Sequence, residues 1–208
     1  NASGTASITA NDIDGGSYDN CGLQSTSISR TTFNCNNIGN NLVVFTAVDL
    51  NGNTRTRNVI VNVYDTISPT LQLNPITVSL NNNGQASVLF YQVDNGTFDN
   101  CGLQSSVLSQ NNFTCADLGT RMVAATATDL YGNVTVDSVA ITVVDQTAPV
   151  VIAQNLTVYL DPSGDASITS GMINNGSYDN CSISHFALSD STFTCVDLGI
   201  NQVTLNAY

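Results

Sequence analysis

The chain has 208 residues and a net charge of −12, from sixteen acidic residues, all Asp, against four Arg and no Lys. A phosphate backbone or an anionic membrane surface would find almost no cationic contacts on it, which argues against nucleic acid and anionic lipid as partners. No apolar run is long enough to cross a bilayer, which argues against direct membrane insertion.

The length allows one to three domains. The chain opens without Met or a signal peptide and stops in mid-pattern, so it reads as a stretch of something longer. Six cysteines, even in number and regularly placed, point to an oxidising compartment. An acidic surface rich in Asn, Thr and Ser suits an extracellular protein that takes up divalent cations.

Self-similarity is the strongest signal. Ser17-Tyr18-Asp19-Asn20-Cys21 returns as Thr97-Phe98-Asp99-Asn100-Cys101 and again as Ser177-Tyr178-Asp179-Asn180-Cys181. Cys35, Cys115 and Cys195 keep the same interval of 80 residues, as do Phe33, Phe113 and Phe193. The junctions repeat too: Val63-Tyr64-Asp65-Thr66-Ile67-Ser68-Pro69 matches Val143-Val144-Asp145-Gln146-Thr147-Ala148-Pro149. A strand ends at the valines, and Pro cannot join a central ladder. The linker of about three residues is too short for free swinging, so the array should be a semi-rigid rod. This phasing makes 1–65 a repeat lacking its first strand, 69–145 a complete repeat, and 149–208 a repeat lacking its last hairpin and strand. Each incomplete repeat would leave an unpaired sheet edge.

In the complete repeat, Ile76 to Leu80 alternates apolar and polar, and Asn81-Asn82-Asn83-Gly84 turns the chain. Ala86, Val88 and Phe90 alternate on one face, and a long loop runs from Val93 to Cys101. Leu103 to Leu108 is the next strand, and Phe113 to Cys115 is a short one. Val123, Ala125 and Ala127 form a buried face, Tyr131-Gly132 makes a hairpin, and Val139, Ile141 and Val143 finish the repeat. Period-two alternation with no sustained 3.6 period predicts all-β structure. About seven strands in about 80 residues predict tandem immunoglobulin-like β-sandwich domains, with a small barrel as the alternative.

Each repeat carries its own cysteine pair. Pairing inside the repeat, as Cys21–Cys35, Cys101–Cys115 and Cys181–Cys195, would close loops of about 15 residues, worth roughly 3 kcal/mol in the chain-entropy model. Such a staple suits a small domain with a marginal core. A structural metal site would need four close ligands, and the spacing without a partner His argues against it.

The pattern Asn/Asp-Gly-Ser/Thr-x-Asp-Asn-Cys, then Phe-x-Cys-x-x-x-Gly, then Ala-x-Asp-x-x-Gly-Asn, then Val-x-Asp-x-x-x-Pro resembles the repeats of giant surface adhesins of the Bacteroidota, of the SprB gliding-motility type. These are similar to HYR domains, although Val134 to Val143 lacks the further Cys usual in that pattern. The resemblance implies a cell-surface filament, exported by the type IX secretion system, carried on the outer membrane and adhering to surfaces or polysaccharide. Asp65-Thr66-Ile67 and Asp137-Ser138-Val139 look like the short O-glycosylation sequence of that phylum.

Catalytic constellations are poor. His185 is the single His and aligns with Ser105 and Ser25, so no triad repeats. There is no Glu, and the Asp residues fall in turns, which disfavours paired-carboxylate hydrolysis. The acidic loops carry a sharper expectation. In immunoglobulin order, the loop after the second strand and the last hairpin lie at the end that faces the preceding repeat. Asp94, Asp99, Asp129 and Asn133 are thereby expected to approach Asp65. The matching set is Asp12, Asp14, Asp19, Asp49 and Asn53 in the first repeat, and Asn174 and Asp179, facing Asp145, in the third. Calcium takes six to eight oxygens, which such clusters could supply. The competing reading makes the same residues ordinary turn formers that cap local N–H groups.

The leading functional expectation is a rigid spacer that projects an adhesive tip, its nearest partners being neighbouring repeats of the same chain and a surface polysaccharide or glycan. The alternatives are a carbohydrate-binding module and an accessory array of a secreted enzyme. A glycan platform would use Tyr18, Phe98 and Tyr178, but these are expected to plug the end of the sandwich.

Overall fold

The computed structural model describes residues 3–208, so the first two residues of the 1–65 repeat lie outside it. The regular structure of the described chain is almost wholly β, with only short helical turns between its strands. It forms two compact units: residues 3–74, 89–109 and 123–139 make one, and residues 75–88, 110–122 and 140–208 the other.

In the first unit, the strands Leu23–Ile28, Gly39–Asp49 and Thr54–Val63 form one antiparallel sheet. Thr5–Ser7 pairs with Thr32–Asn34 in a separate sheet, with Ala6 opposite Phe33. Phe33, Val43 and Phe45 are buried between them. The same unit holds Leu103–Leu108, paired antiparallel with residues 125–129 of the strand Gly119–Asp129. Val93, Val123, Ala125, Ala127 and Val139 are buried there.

In the second unit, Ile76–Ser79 pairs in parallel with residues 141–144 of the strand Val134–Val144. Gln85–Ser87 pairs with Asn112–Thr114 in another sheet, with Ala86 opposite Phe113. Leu80, Val88, Phe113, Ile141 and Val143 form the core. Asp165–Ser167 with Thr192–Thr194 and Phe186–Leu188 with Leu205–Ala207 repeat the scheme. Their core is Ile168, Ile173, Phe193 and Leu205, packed with Ala166, Phe186, Leu188 and Val203.

These recurring pairs are tandem immunoglobulin-like β-sandwich repeats. The barrel alternative is not formed, because the short strand pairs stay in sheets of their own. One expected strand is shorter than the alternation suggested. Phe90 does not continue the face of Ala86 and Val88 but opens the helical turn Phe90–Val93. The Leu89 N–H donates to Gln92 Oε1 at 2.7 Å, which starts the turn, and Val93 closes it into the core. Burial also differs between repeats. Val139, Ile141 and Val143 are at most 3% exposed, whereas Val59, Val61 and Val63 are only half-buried. Ile76–Ser79 lies beside Val134–Val144, whereas among the described residues Thr54–Val63 pairs only with Gly39–Asp49.

Candidate metal centre at the repeat junctions

Three local devices set the junctions, and all are short polar side chains capturing backbone N–H groups. In Asp-Asn-Cys, the aspartate Oδ1 accepts from the cysteine N–H, at 2.8 Å for Asp99 and Cys101 and 2.9 Å for Asp179 and Cys181. After the short strand, Asp117 Oδ2 accepts from the Thr114 N–H at 2.9 Å, fixing the tight turn Cys115–Asp117. In the last hairpin, Asp129 Oδ1 accepts from the Tyr131 and Asn133 N–H groups, both at 2.8 Å.

These devices aim the cysteines between repeats, which corrects the expected pairing. The bonds are Cys35–Cys101 and Cys115–Cys181, with Cα separations of 5.3 and 5.4 Å, and Cys21 and Cys195 are free and exposed. None of Cys21–Cys35, Cys101–Cys115 and Cys181–Cys195 forms. The reason is strand direction. Leu23 lies opposite Asp49 and Gly39 opposite Val63, so Cys21 and Cys35 sit towards opposite ends of the strand Gly39–Asp49. The six residues Leu23–Ile28 alone span about 20 Å at roughly 3.3 Å each. A disulfide needs Cα atoms within about 7 Å. The intervals of 14 residues within repeats and 66 between them are equally constant, so spacing alone did not separate the two pairings.

Beside the first bond, Asp65, Asp99 and Asp129 converge, with one carboxylate oxygen of each within 4.8 Å of the others. Asp129 is fully buried. Burial pushes its carboxyl up, but the bonds from the Asn133 amide and the backbone of Tyr131, Asn133 and Gly132 outweigh this and leave it below the ordinary range. Asn133 Nδ2 donates to Asp129 Oδ2 at 2.7 Å and to the Asp65 carbonyl at 3.2 Å, tying the hairpin to the end of the preceding repeat. Thr135 Oγ1 adds a 2.6 Å bond to the Pro69 carbonyl. Asn100, which the sequence reading passed over, sends Nδ2 to Asp65 Oδ1 at 3.4 Å.

Three acceptors at this junction are buried without a hydrogen-bond partner: Asp65 Oδ2, Asp99 Oδ2 and Asn100 Oδ1. The second junction repeats part of the arrangement. Asn180 Nδ2 donates to Asp145 Oδ1 and to the Asn81 carbonyl, both at 3.1 Å, while Asp179 Oδ2 and Asn180 Oδ1 are left without partners. Buried acceptors without donors cost about 1–3 kcal/mol each, more when charged. Carboxylates at this spacing also repel one another by a few kcal/mol per pair at an effective dielectric of about 20. A hard cation would relieve both, and carboxylate plus amide oxygens are the donors it takes. The residues therefore fit calcium.

The other expected ligands stand differently. Asp94 is exposed and accepts from the Thr97 N–H at 2.8 Å. The Thr97 side chain, with its backbone, lowers its carboxyl. Asp12 is lowered by the Thr9 backbone and hydroxyl, and Asp14 by the Ser17 hydroxyl and N–H. Asp49 accepts from Asn53 Nδ2 at 2.7 Å, as Asp129 does from Asn133, and Asp19 accepts from the Cys21 N–H at 2.8 Å. Asn174 Oδ1 accepts from the Ser177 N–H at 2.9 Å.

The aromatic plug is also corrected. Tyr18, Phe98 and Tyr178 are 91%, 53% and 58% exposed. The backbones at Phe98 and Tyr178 bridge to Thr70 and Val150, and this edge pairing leaves their rings at the surface. His185 is exposed and stacks on Tyr208 at 4.8 Å between ring centres.

No protein-family model matches the chain, and no curated protein does. Among solved structures, one similar chain is that of a protocadherin gammaB7 EC3-6 cis-dimer, at 16% identity and a TM-score of 0.32. The match covers 82% of this chain and spans 59% of the length of the protocadherin chain. Among the described residues, no helix is long and apolar enough to cross a membrane.

Proposed function

We propose that this chain is a run of repeats from a secreted cell-surface filament that projects an adhesive end for surface attachment or gliding, and that calcium seated at the repeat junctions stiffens it. In this reading 1–65, 69–145 and 149–208 are the filament units, joined after Asp65 and Asp145. The observation that carries it is one junction occurring twice: a disulfide between repeats beside acidic and amide oxygens without donors. Local turn formation explains the aspartate Oδ1 atoms, which cap N–H groups. It does not explain why Oδ2 of the same residues is buried with no partner.

Asp65, Asp99, Asn100 and Asp129 would hold the ion at the first junction, and Asp145, Asp179 and Asn180 at the second. Calcium would supply the charge that these oxygens lack. Asp65 and Asp145 come from the repeat that ends and the others from the repeat that begins, so an ion bound to both fixes their angle. Asp19, with Asp49 and Asn53, offers the receiving half of another such site. Calorimetric titration with calcium chloride tests this. Saturable heat in the wild type that shrinks in Asp99→Asn supports it; no heat in the wild type overturns it.

A second reading is favoured by the exposed aromatics. Tyr18, Phe98 and Tyr178 recur at one position per repeat and offer faces on which sugar rings stack. Slowed migration in polysaccharide gels, abolished by replacing all three with Ala, supports glycan binding; unchanged migration of the wild type rules it out.

A further inference from the structure

We propose that Cys35 and Cys101 are positioning residues for the ion at the first junction: their bond keeps the calcium oxygens of the two repeats within reach of one another, so calcium and a thiol reductant oppose each other there. This deepens the calcium reading and rests on it.

The bond and the ligands share one piece of backbone. Asp99 and Asn100 directly precede Cys101, and Asp99 Oδ1 accepts from the Cys101 N–H at 2.8 Å and the Gly102 N–H at 3.0 Å. Asn100 Nδ2 lies 3.3 Å from Cys101 Sγ and 3.4 Å from Asp65 Oδ1, while the Asn100 carbonyl oxygen lies 3.3 Å from Cys35 Sγ. Cys35, Cys101, Asp65 and Asn100 also line one small cavity of about 50 Å³. Movement of Cys101 away from Cys35 therefore carries Asp99 and Asn100 away from Asp65.

Three hydrogen bonds tie the hairpin to the preceding repeat independently of the sulfurs. Asn133 Nδ2 donates to the Asp65 carbonyl at 3.2 Å, Thr135 Oγ1 to the Pro69 carbonyl at 2.6 Å, and the Tyr131 hydroxyl to the Cys35 carbonyl at 3.4 Å. None of the three touches Asp99 or Asn100. Reduction thus leaves Asp129 near Asp65 and loosens the other two ligands. Calcium takes six to eight oxygens, and it binds best where they are already gathered. By linkage, the factor that the bond adds to calcium affinity is the factor by which bound calcium opposes reduction of the bond. Both cysteines are half-buried, which leaves the bond open to a small thiol.

Glutathione is such a reductant. One glutathione thiolate attacks the Cys101 sulfur, forming a mixed disulfide and releasing Cys35 as a thiolate. A second glutathione thiolate takes the first away and releases Cys101. The protein disulfide gains two electrons, the freed thiolates take up protons, and two glutathiones become one glutathione disulfide.

For the test, the free thiols of Cys21 and Cys195 are first capped with iodoacetamide. The oxidised chain is equilibrated in glutathione buffers of rising reducing strength, in calcium chloride or in chelator, and each bond is scored by mass spectrometry of its peptides. Equilibrium is read rather than rate, because calcium also neutralises carboxylates that repel an anionic thiolate. Saturating calcium should raise the reducing strength needed to half-reduce Cys35–Cys101, as reduced glutathione squared over its disulfide, by about tenfold. Asp65→Asn should shrink that shift and leave the one at Cys115–Cys181 unchanged. Calorimetric titration of the oxidised wild type separates two kinds of failure. If it shows no calcium heat, the calcium reading falls and this inference with it. If calcium binds yet reduction of Cys35–Cys101 is unshifted, or shifts equally in Asp65→Asn, this inference alone is overturned.

Discussion

Tension applied to the two ends of this chain should bypass most of it. Each disulfide spans 66 residues, so the segments 36–100 and 116–180 hang as closed loops outside the load path while the bonds hold. At up to about 3.6 Å per residue, each loop withholds about 240 Å of contour, and the two together about 480 Å. Pairing inside the repeats would withhold far less, about 50 Å per bond, because only 14 residues separate Cys21 from Cys35. Single-molecule stretching between terminal handles, before and after adding reductant, reads this difference directly. The expected result is complete unfolding of the oxidised chain at a contour near 270 Å, lengthening by about 480 Å on reduction. A gain below about 150 Å would refute the cross-repeat connectivity and the reasoning from strand direction.

Further outcomes follow from the same geometry. Cys101→Ser should lower stability by about 4 kcal/mol in the chain-entropy model, more than a 15-residue loop would, as read by denaturant melts. Asp99→Asn should leave stability in chelator unchanged or slightly higher, since it removes a carboxylate from a repelling cluster, yet reduce the rise with calcium. Gly84→Ala places a Cβ 2.7 Å from both the Cys115 sulfur and the Asn180 carbonyl, at a positive φ of 68°. Thiol titration should then find more than the two free thiols of the wild type. The hairpin carboxylates Asp49 and Asp129 titrate below the ordinary 3.8, so their stabilising bonds are complete above that value and are lost as pH falls through the lower folded values. Melting temperature should therefore be flat from neutrality to about pH 4 and drop below it; a steady decline from pH 7 would contradict this.

How much of this was legible in the sequence depended on distance along the chain. Alternation in Val123, Ala125 and Ala127 marked a buried face because one sheet face meets the core, and period two is a local property. The approach of Asp99 and Asp129 to Asp65 was legible because immunoglobulin order fixes which loops share an end. The pairing of cysteines was not, because it depends on the direction of Leu23–Ile28 and Thr32–Asn34, which alternation does not encode. Asn100 was missed for another reason. Its neighbours Asp99 and Cys101 carried all the chemical attention, while a buried amide oxygen without a donor has no signature of its own.

Differential scanning calorimetry of the oxidised chain, in calcium and in chelator, tests the central claim most directly. If calcium joins the repeats through Asp65, Asp99, Asn100 and Asp129, the melting temperature rises with calcium and the rise is smaller in Asp65→Asn. Identical melting in calcium and chelator would contradict the account and leave the junction to its disulfides and hydrogen bonds.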